Sequence, residues 1–160
     1  FSVTADAGGT VEWKKLSFTL ATTAVELTAV TLYDVTSGTA VAVNSSAADP
    51  TSTKVVIYAG TSVNDTVQSI AAGQSKTYEL RGTIANWGTA ADTITINFSE
   101  DTTAVASASS AGLTDNMIWS DRAATSHTTI TADWTNGYLV KDVTGDTRSC
   151  QFGTVTTCTP

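Results

Sequence analysis

The segment "TVEWKKLSFTL", residues 10–20, decides the fold class of this chain. Apolar residues occupy every second position up to Trp13 and again from Leu16 onward, and the phase slips by one at Lys14-Lys15. Alternation with a period of two is typical of a half-buried strand, and a slip of one residue is what a β-bulge produces. We therefore predict a long strand here, with a bulge at the two lysines.

The same alternation recurs along the chain. Further strands are expected at residues 1–6, 25–35, 39–43, 53–59, 75–84, 92–99 and 137–143. The segment 62–73 fits either a short helical turn or a polar edge strand. Because short turn signals separate the strands at regular intervals, the sequence predicts an all-β fold, an antiparallel Ig-like β-sandwich of about seven to nine strands.

We expect residues 1–160 to form a single Ig-like domain, in which 101–136 are a long loop or crossover and 144–160 a C-terminal hairpin tail. The only two cysteines, Cys150 and Cys158, lie in that tail. Their spacing in a secreted-looking chain favours one disulfide over two unpaired thiols. Such a disulfide closes a short loop and stabilises the fold by about 2–3 kcal/mol in the chain-entropy model.

The composition points to an extracellular β protein. Threonine and serine make up 48 of 160 residues, and charged residues only 14%, against roughly 25% in an average domain. The net charge of −7 disfavours nucleic acid and anionic lipid as partners. No apolar run is long enough to span a membrane, so no membrane insertion is expected. The chain starts without Met and without a signal peptide, which suggests a processed chain or an excised domain.

The stretch "IWSDRAATSHTTITADWTNGYLV", residues 118–140, contains the ingredients of a hydrolase triad. Ser120, the only histidine His127, and Asp133 lie within it. However, the serine has no flanking glycine elbow, and triads are normally assembled from distant segments. We therefore expect no catalytic residues and predict that the protein is not an enzyme.

The alternative interpretation is a structural latch, in which tryptophans bury apolar area and short polar side chains bond the backbone of a crossover. An Asn-Gly pair would supply a turn with positive φ before a final strand that begins at Tyr138. The predicted latch residues are Trp119, Asp121, His127, Asp133, Trp134, Asn136 and Gly137. In this interpretation His127 lies within hydrogen-bond distance of a backbone group, of Asp121 or of Asp133.

Three further kinds of site are candidates. Asp115, Asp142 and Asp146 offer oxygen ligands for calcium, although no EF-hand spacing is present and turn-forming aspartates explain them as well. No other cofactor is expected. Trp87 is a candidate glycan contact, with a capping role as the alternative. Glycosylation sequons occur at Asn44, Asn64 and Asn97, about as often as chance predicts in so Ser- and Thr-rich a chain.

The stretches "FSVTADAGGTVEWKKLSFTL", "GQSKTYELRGTI" and "NMIWSDRAATSHTTITADWTNGYLV" resemble a known family. They are similar to the Ig-like β-sandwich modules of large surface proteins, S-layer-like or fibre proteins, of ultrasmall candidate-phyla bacteria. The resemblance implies a secreted, cell-surface structural module with no catalytic residues to carry over.

Two functions follow as expectations. The first is a structural subunit of a surface layer, stalk or pilus-like filament, which assembles with copies of itself or with other surface modules through β-sheet edges. In this version Phe1, Val3 and Ala5 form a strand that inserts into a neighbouring subunit. The second is an adhesion module that recognises a glycan or another surface protein.

Overall fold

The computed structural model describes residues 1–41, 53–60, 64–86, 92–105, 115–143, 146–152 and 157–159. All twelve strands in these ranges pair antiparallel and form one four-stranded and one eight-stranded sheet. No helix occurs in the described ranges, so the predicted all-β class is confirmed.

The strands have the following bounds. They are β1 (Ser2–Thr4), β2 (Val11–Thr23), β3 (Glu26–Asp34), β4 (Thr39–Ala40), β5 (Lys54–Tyr58), β6 (Gln68–Ile70), β7 (Ser75–Ala85), β8 (Asp92–Phe98), β9 (Met117–Ser120), β10 (Trp134–Asn136), β11 (Asp146–Phe152) and β12 (Thr157–Thr159).

Strand β2 is the spine of the larger sheet. One of its edges pairs with β6 and then β5, and the other pairs with β9 and then β8. The pairing register with β9 shifts between Trp13 and Lys15, which confirms the predicted bulge and leaves Lys14 as the extra residue. The sheet continues from β9 to β10 and from β8 through β11 to β12. The smaller sheet has the order β1-β7-β3-β4.

One apolar core joins the two sheets. Trp13 on β2 donates its indole N–H to the hydroxyl of Tyr78 on β7 at 3.2 Å, and their rings meet edge to face. Phe1 stacks on Tyr78 and on Phe98 of β8. The buried side chains of this core include Trp13, Leu16, Phe18, Leu20, Val55, Ile57, Ile70, Ile94 and Met117 from the larger sheet, and Leu27, Val30, Leu32 and Tyr78 from the smaller one. Because both sheets bury apolar residues in the same cluster, most of the stability comes from this interface.

Several details differ from the sequence predictions. The strand count exceeds seven to nine because short strands of three or four residues, such as β9 and β10, carry too little pattern to be recognised. Strand β6 shows that the polar-edge alternative for 62–73 was the better one. The predicted long loop 101–136 contains β9 and β10, which extend the sheet from β2.

The predicted final strand at 137–143 is wrong. Only an isolated bridge, from Tyr138 to Asp101, forms there. Leu139 and Asp142 both have positive φ, a conformation that a regular strand does not accommodate. Asn136 and Gly137 do not have positive φ, so the predicted Asn-Gly turn is also wrong: Asn136 ends β10.

The C-terminal hairpin is present. Strand β12 pairs with β11, and the register places Cys150 directly opposite Cys158. Strand β11 also pairs with β8, so the tail is an integral part of the larger sheet. No free cysteine is found in the described part of the chain. The register is the one that a cross-strand disulfide needs, and the disulfide itself stays a prediction.

Candidate functional site

The predicted latch region contains a histidine held between two carboxylates. His127 Nδ1 lies 2.7 Å from Asp133 Oδ2, and His127 Nε2 lies 2.8 Å from Glu12 Oε2. Carboxylate oxygens only accept hydrogen bonds, so both contacts are satisfied when both ring nitrogens carry a proton. The expected contact between His127 and Asp133 is therefore present, and it clamps the 121–134 loop onto strand β2.

The geometry does not form a hydrolase triad. Ser120 is fully buried, and its hydroxyl donates to Asp133 Oδ2 at 3.0 Å while it accepts from the backbone N–H of Arg122. Both nitrogens of His127 already face carboxylates, so neither is available to take a proton from Ser120. The serine and the histidine thus converge on one carboxylate instead of forming a relay.

Asp133 gathers several donors of the loop. Its Oδ2 accepts from Ser120, from His127 and from the backbone N–H of Ala124. Burial by itself raises the pKa of this carboxyl, but hydrogen bonds from Thr131, Ala124, His127 and Ser120 outweigh it and hold the pKa well below its usual range. Asp133 is therefore ionised at neutral pH and organises the loop around its charge.

Trp134 covers a buried lysine. Its side chain is fully buried, and its indole N–H donates to the carbonyl of Thr128 at 2.8 Å. Lys14 Nζ lies 4.4 Å from the centre of the Trp134 ring, and the His127 ring lies 5.2 Å away. Together with Ile118, Trp134 forms a small apolar cluster separate from the main core. The latch thus closes over a cationic side chain of β2.

Two adjacent lysines at the bulge are fully buried. Burial lowers the pKa of Lys14 to about 8. Burial also lowers the pKa of Lys15 to about 8, although the carboxylates of Asp115 and Asp101 act in the opposite direction. The bulge thus places two consecutive lysines of one strand in buried surroundings.

A second polar cluster fastens the end of β10. The buried carboxylate of Asp101 accepts from three backbone N–H groups, those of Asn116 at 2.6 Å, Gly137 at 2.7 Å and Met117 at 3.3 Å. A Cβ at Gly137 would lie 3.0 Å from Asp101 Oδ2, so the absence of a side chain permits this close approach. Asn136 donates to the carbonyl of Thr103 and to Asp115 Oδ1.

The remaining latch residues, Trp119 and Asp121, make hydrogen bonds elsewhere in the latch region. Trp119 is half-buried, packs against the main core and donates its indole N–H to the carbonyl of Asn136 at 3.0 Å. Asp121 is exposed and accepts from the backbone N–H of Ala123, so it stabilises a local turn and does not contact His127. Glu12, Lys14 and Asp101 were missed by the sequence interpretation. The signal that could have found the first two is the run of charges Glu12 to Lys15 inside an otherwise apolar strand.

In the single chain the N-terminal strand pairs internally, and insertion of Phe1, Val3 and Ala5 into a neighbouring subunit stays a prediction. Strand β1 pairs with β7 of its own chain, in the register Ser2 opposite Thr77. Apolar contacts within the chain stabilise this pairing, because Ala5 is buried and Phe1 stacks on Tyr78.

A groove of about 660 Å³ opens beside the outer edge of β1. Both apolar side chains and residues 140–143 contribute to its lining. The lining residues include Val3, Leu16, Phe98, Met117 and Val140. Asp6, Lys141 and Asp142 also line it and add charged groups.

The other candidate sites gain no support from the geometry. No group of three or more His, Cys, Asp or Glu side chains placed to hold a metal occurs in the described ranges. Asp115 binds Asn136, Asp142 is exposed beside Lys141, and the side chain of Asp146 lies outside the described residues, as do Trp87 and Asn44. Asn64 binds Lys14, and Asn97 donates to the hydroxyl of Ser99.

Comparison of the chain with protein-family models, curated proteins and solved structures finds no match. A search of the described residues for helices that could cross a membrane also finds none. The function therefore has to be argued from the residues and their geometry.

Proposed function

We propose that this chain is an Ig-like structural module of an extracellular surface layer, stalk or filament, which assembles by adding a neighbour's strand to the edge of β1. The observation that carries the proposal is the groove beside that edge. It combines main-chain groups that have no strand partner in the described part of the chain with apolar lining side chains, the two elements of β-strand addition.

The register shows which main-chain groups face the groove side. Phe1 and Tyr78 exchange both backbone hydrogen bonds, and Ala5 N donates to Gln74 O. In an antiparallel pair hydrogen-bonded residues alternate, so Ser2 and Thr4 direct their N–H and C=O groups away from β7. This outer edge has no strand partner among the described residues. An extended segment of a second copy is the occupant that these groups fit.

The latch supports a structural role for the rest of the chain. The serine, histidine and aspartate that could serve hydrolysis are engaged in fastening a loop to β2, and Ser120 has no access to solvent. The acidic, threonine-rich surface and the sequence resemblance to Ig-like surface modules point the same way.

A proline scan of β1 tests the assembly mode. Thr4→Pro removes an outward N–H and leaves the ladder with β7 intact, whereas the matched control Val3→Pro removes a ladder N–H. We expect the wild type to self-associate in sedimentation velocity and to form ordered assemblies in electron micrographs. Thr4→Pro should remain monomeric with an unchanged melting temperature, while Val3→Pro should melt at a lower temperature.

Two outcomes would overturn the proposal. Assembly of Thr4→Pro at the wild-type concentration dependence would show that the β1 edge is not the contact. A wild-type chain that stays monomeric at every concentration, but binds a defined glycan on an array, would establish the adhesion alternative instead.

A further inference from the structure

A contact between β2 and the turn before β6 joins a buried amine to a side-chain amide. Lys14 is fully buried at the bulge of β2, beneath the latch loop. Its Nζ donates to Asn64 Oδ1 at 3.0 Å and to the carbonyl of Thr129 at 2.8 Å, and it lies over the Trp134 ring. Asn64 belongs to the turn before β6 and is itself exposed.

These surroundings favour the neutral, nucleophilic form of the amine. Asn64 Oδ1 and the carbonyl oxygen of Thr129 are neutral acceptors, which stabilise an ammonium group less than carboxylates do. Burial lowers the pKa of Lys14 to about 8. A substantial fraction of the side chain is therefore an unprotonated amine under mildly alkaline conditions, as in enzymes that use lysine as a nucleophile.

The electrophile is already in position. The oxygen of Asn64 that Lys14 contacts is bonded to the carboxamide carbon, so the 3.0 Å contact also holds the buried amine close to that carbon. Such fixed proximity replaces a bimolecular encounter and greatly accelerates acyl transfer. Because Asn64 is an exposed residue, a small leaving group can pass directly into solvent.

We propose that Lys14 and Asn64 form an intramolecular isopeptide cross-link. A bond forms between Lys14 Nζ and Asn64 Cγ, and the bond between Asn64 Cγ and Nδ2 breaks. One amine proton moves to the departing nitrogen, which leaves as ammonia, and the other remains on the new amide. No oxidant, reductant or cofactor is needed.

The latch loop positions two of the groups that surround the reacting amine. The contacts of His127 with Glu12 and Asp133 hold the loop that places Thr129 and Trp134 over the amine. The product ties the spine strand β2 to the turn between β5 and β6. It would also occupy Asn64, so that glycosylation and cross-linking exclude one another at this sequon. The inference does not depend on the proposed assembly function.

Mass spectrometry of the full wild-type chain tests the cross-link. After reduction of the cysteines, the intact protein should be lighter than its sequence mass by one ammonia molecule. Trypsin should not cleave after Lys14 and should release a branched peptide that joins residues 1–15 to residues 55–76. Lys14→Arg and Asn64→Ala should each restore the full sequence mass.

One control separates the cross-link from a different loss of ammonia. A succinimide at the Asn136-Gly137 pair would give the same intact mass, but it would leave Lys14 cleavable and residues 55–76 unbranched. Wild-type protein with the full sequence mass would overturn the inference, as would an ammonia loss that maps to any other residue. Both results are obtained on the wild type, so they do not depend on whether a variant folds.

Discussion

Replacement of Trp134 by alanine is the sharpest test of the latch. The side chain is completely buried, it donates to the carbonyl of Thr128, and its ring contacts both Lys14 and His127. Its removal leaves a cavity between the loop and β2 and exposes the side chain of Lys14 to that cavity. The loop should lose its main attachment to the sheet.

The expected loss follows from these contacts. Truncation of a buried tryptophan to alanine costs about 3–5 kcal/mol, and that range includes lost packing as well as the indole hydrogen bond. Native domains are stable by about 5–15 kcal/mol, so the variant should retain little stability. In a domain of this size 1 kcal/mol corresponds to about 2–4 °C, which predicts a melting temperature lower by roughly 6–20 °C.

Urea denaturation and thermal melting measure the effect. Ile130→Ala is the matched control, because Ile130 lies in the same loop but is 65% exposed, and such surface changes typically stay within about 0.5 kcal/mol. Trp134→Phe should fall between the two, since it keeps the ring and loses the indole donor. A Trp134→Ala variant within about 1 kcal/mol of the wild type would refute the idea that the latch supports the fold.

The remaining predictions concern pH and the C-terminal hairpin. Because the pKa of Asp133 is lowered in the folded state, its contribution to stability is complete above about pH 4 and is lost as the pH falls further; Asp133→Asn should flatten acid denaturation curves in this range. The pKa of Lys15 is lowered from 10.5 to about 8, so the unfolded state binds more protons between these values and the free energy of unfolding should rise with pH there. Lys15→Met should reduce this rise, to which Lys14 also contributes, and an identical pH slope in both proteins would contradict the burial effect. A thiol assay of the unreduced, denatured protein should find no free thiol, and the Cys150→Ser, Cys158→Ser double variant should lose about 2–3 kcal/mol; two titratable thiols would disprove the disulfide.

The strands were predictable where the alternation is long. The bulge at Lys14 was visible as a change of phase, because a strand that buries one face cannot shift its register by one residue without an extra residue. Short strands such as β9 and β10 escaped prediction, since three or four residues show no clear period. The backbone at Leu139 turned with positive φ where the sequence favoured a strand, because the contacts of Asp101 with Gly137 and Tyr138 direct the chain there.

The latch residues were likewise predictable only in part from the sequence. Its loop members, His127, Asp133 and Trp134, could be proposed from the sequence because short polar residues beside tryptophans suit a fastened crossover. Their partners on β2 could not, since Glu12 is 115 residues from His127 along the chain. Only the pairing of β9 and β10 beside β2 brings the loop over that strand.

The sequence by itself therefore determined the all-β class, the bulged spine strand and the C-terminal hairpin, because side-chain alternation and turn residues act over a few neighbouring positions. The tertiary structure alone decided that the serine and histidine share one carboxylate and that β1 pairs within its own chain. It also decided that Lys14 meets Asn64, 50 residues away in sequence. These contacts depend on which strands lie side by side, and the burial of two sheets against one core sets that arrangement.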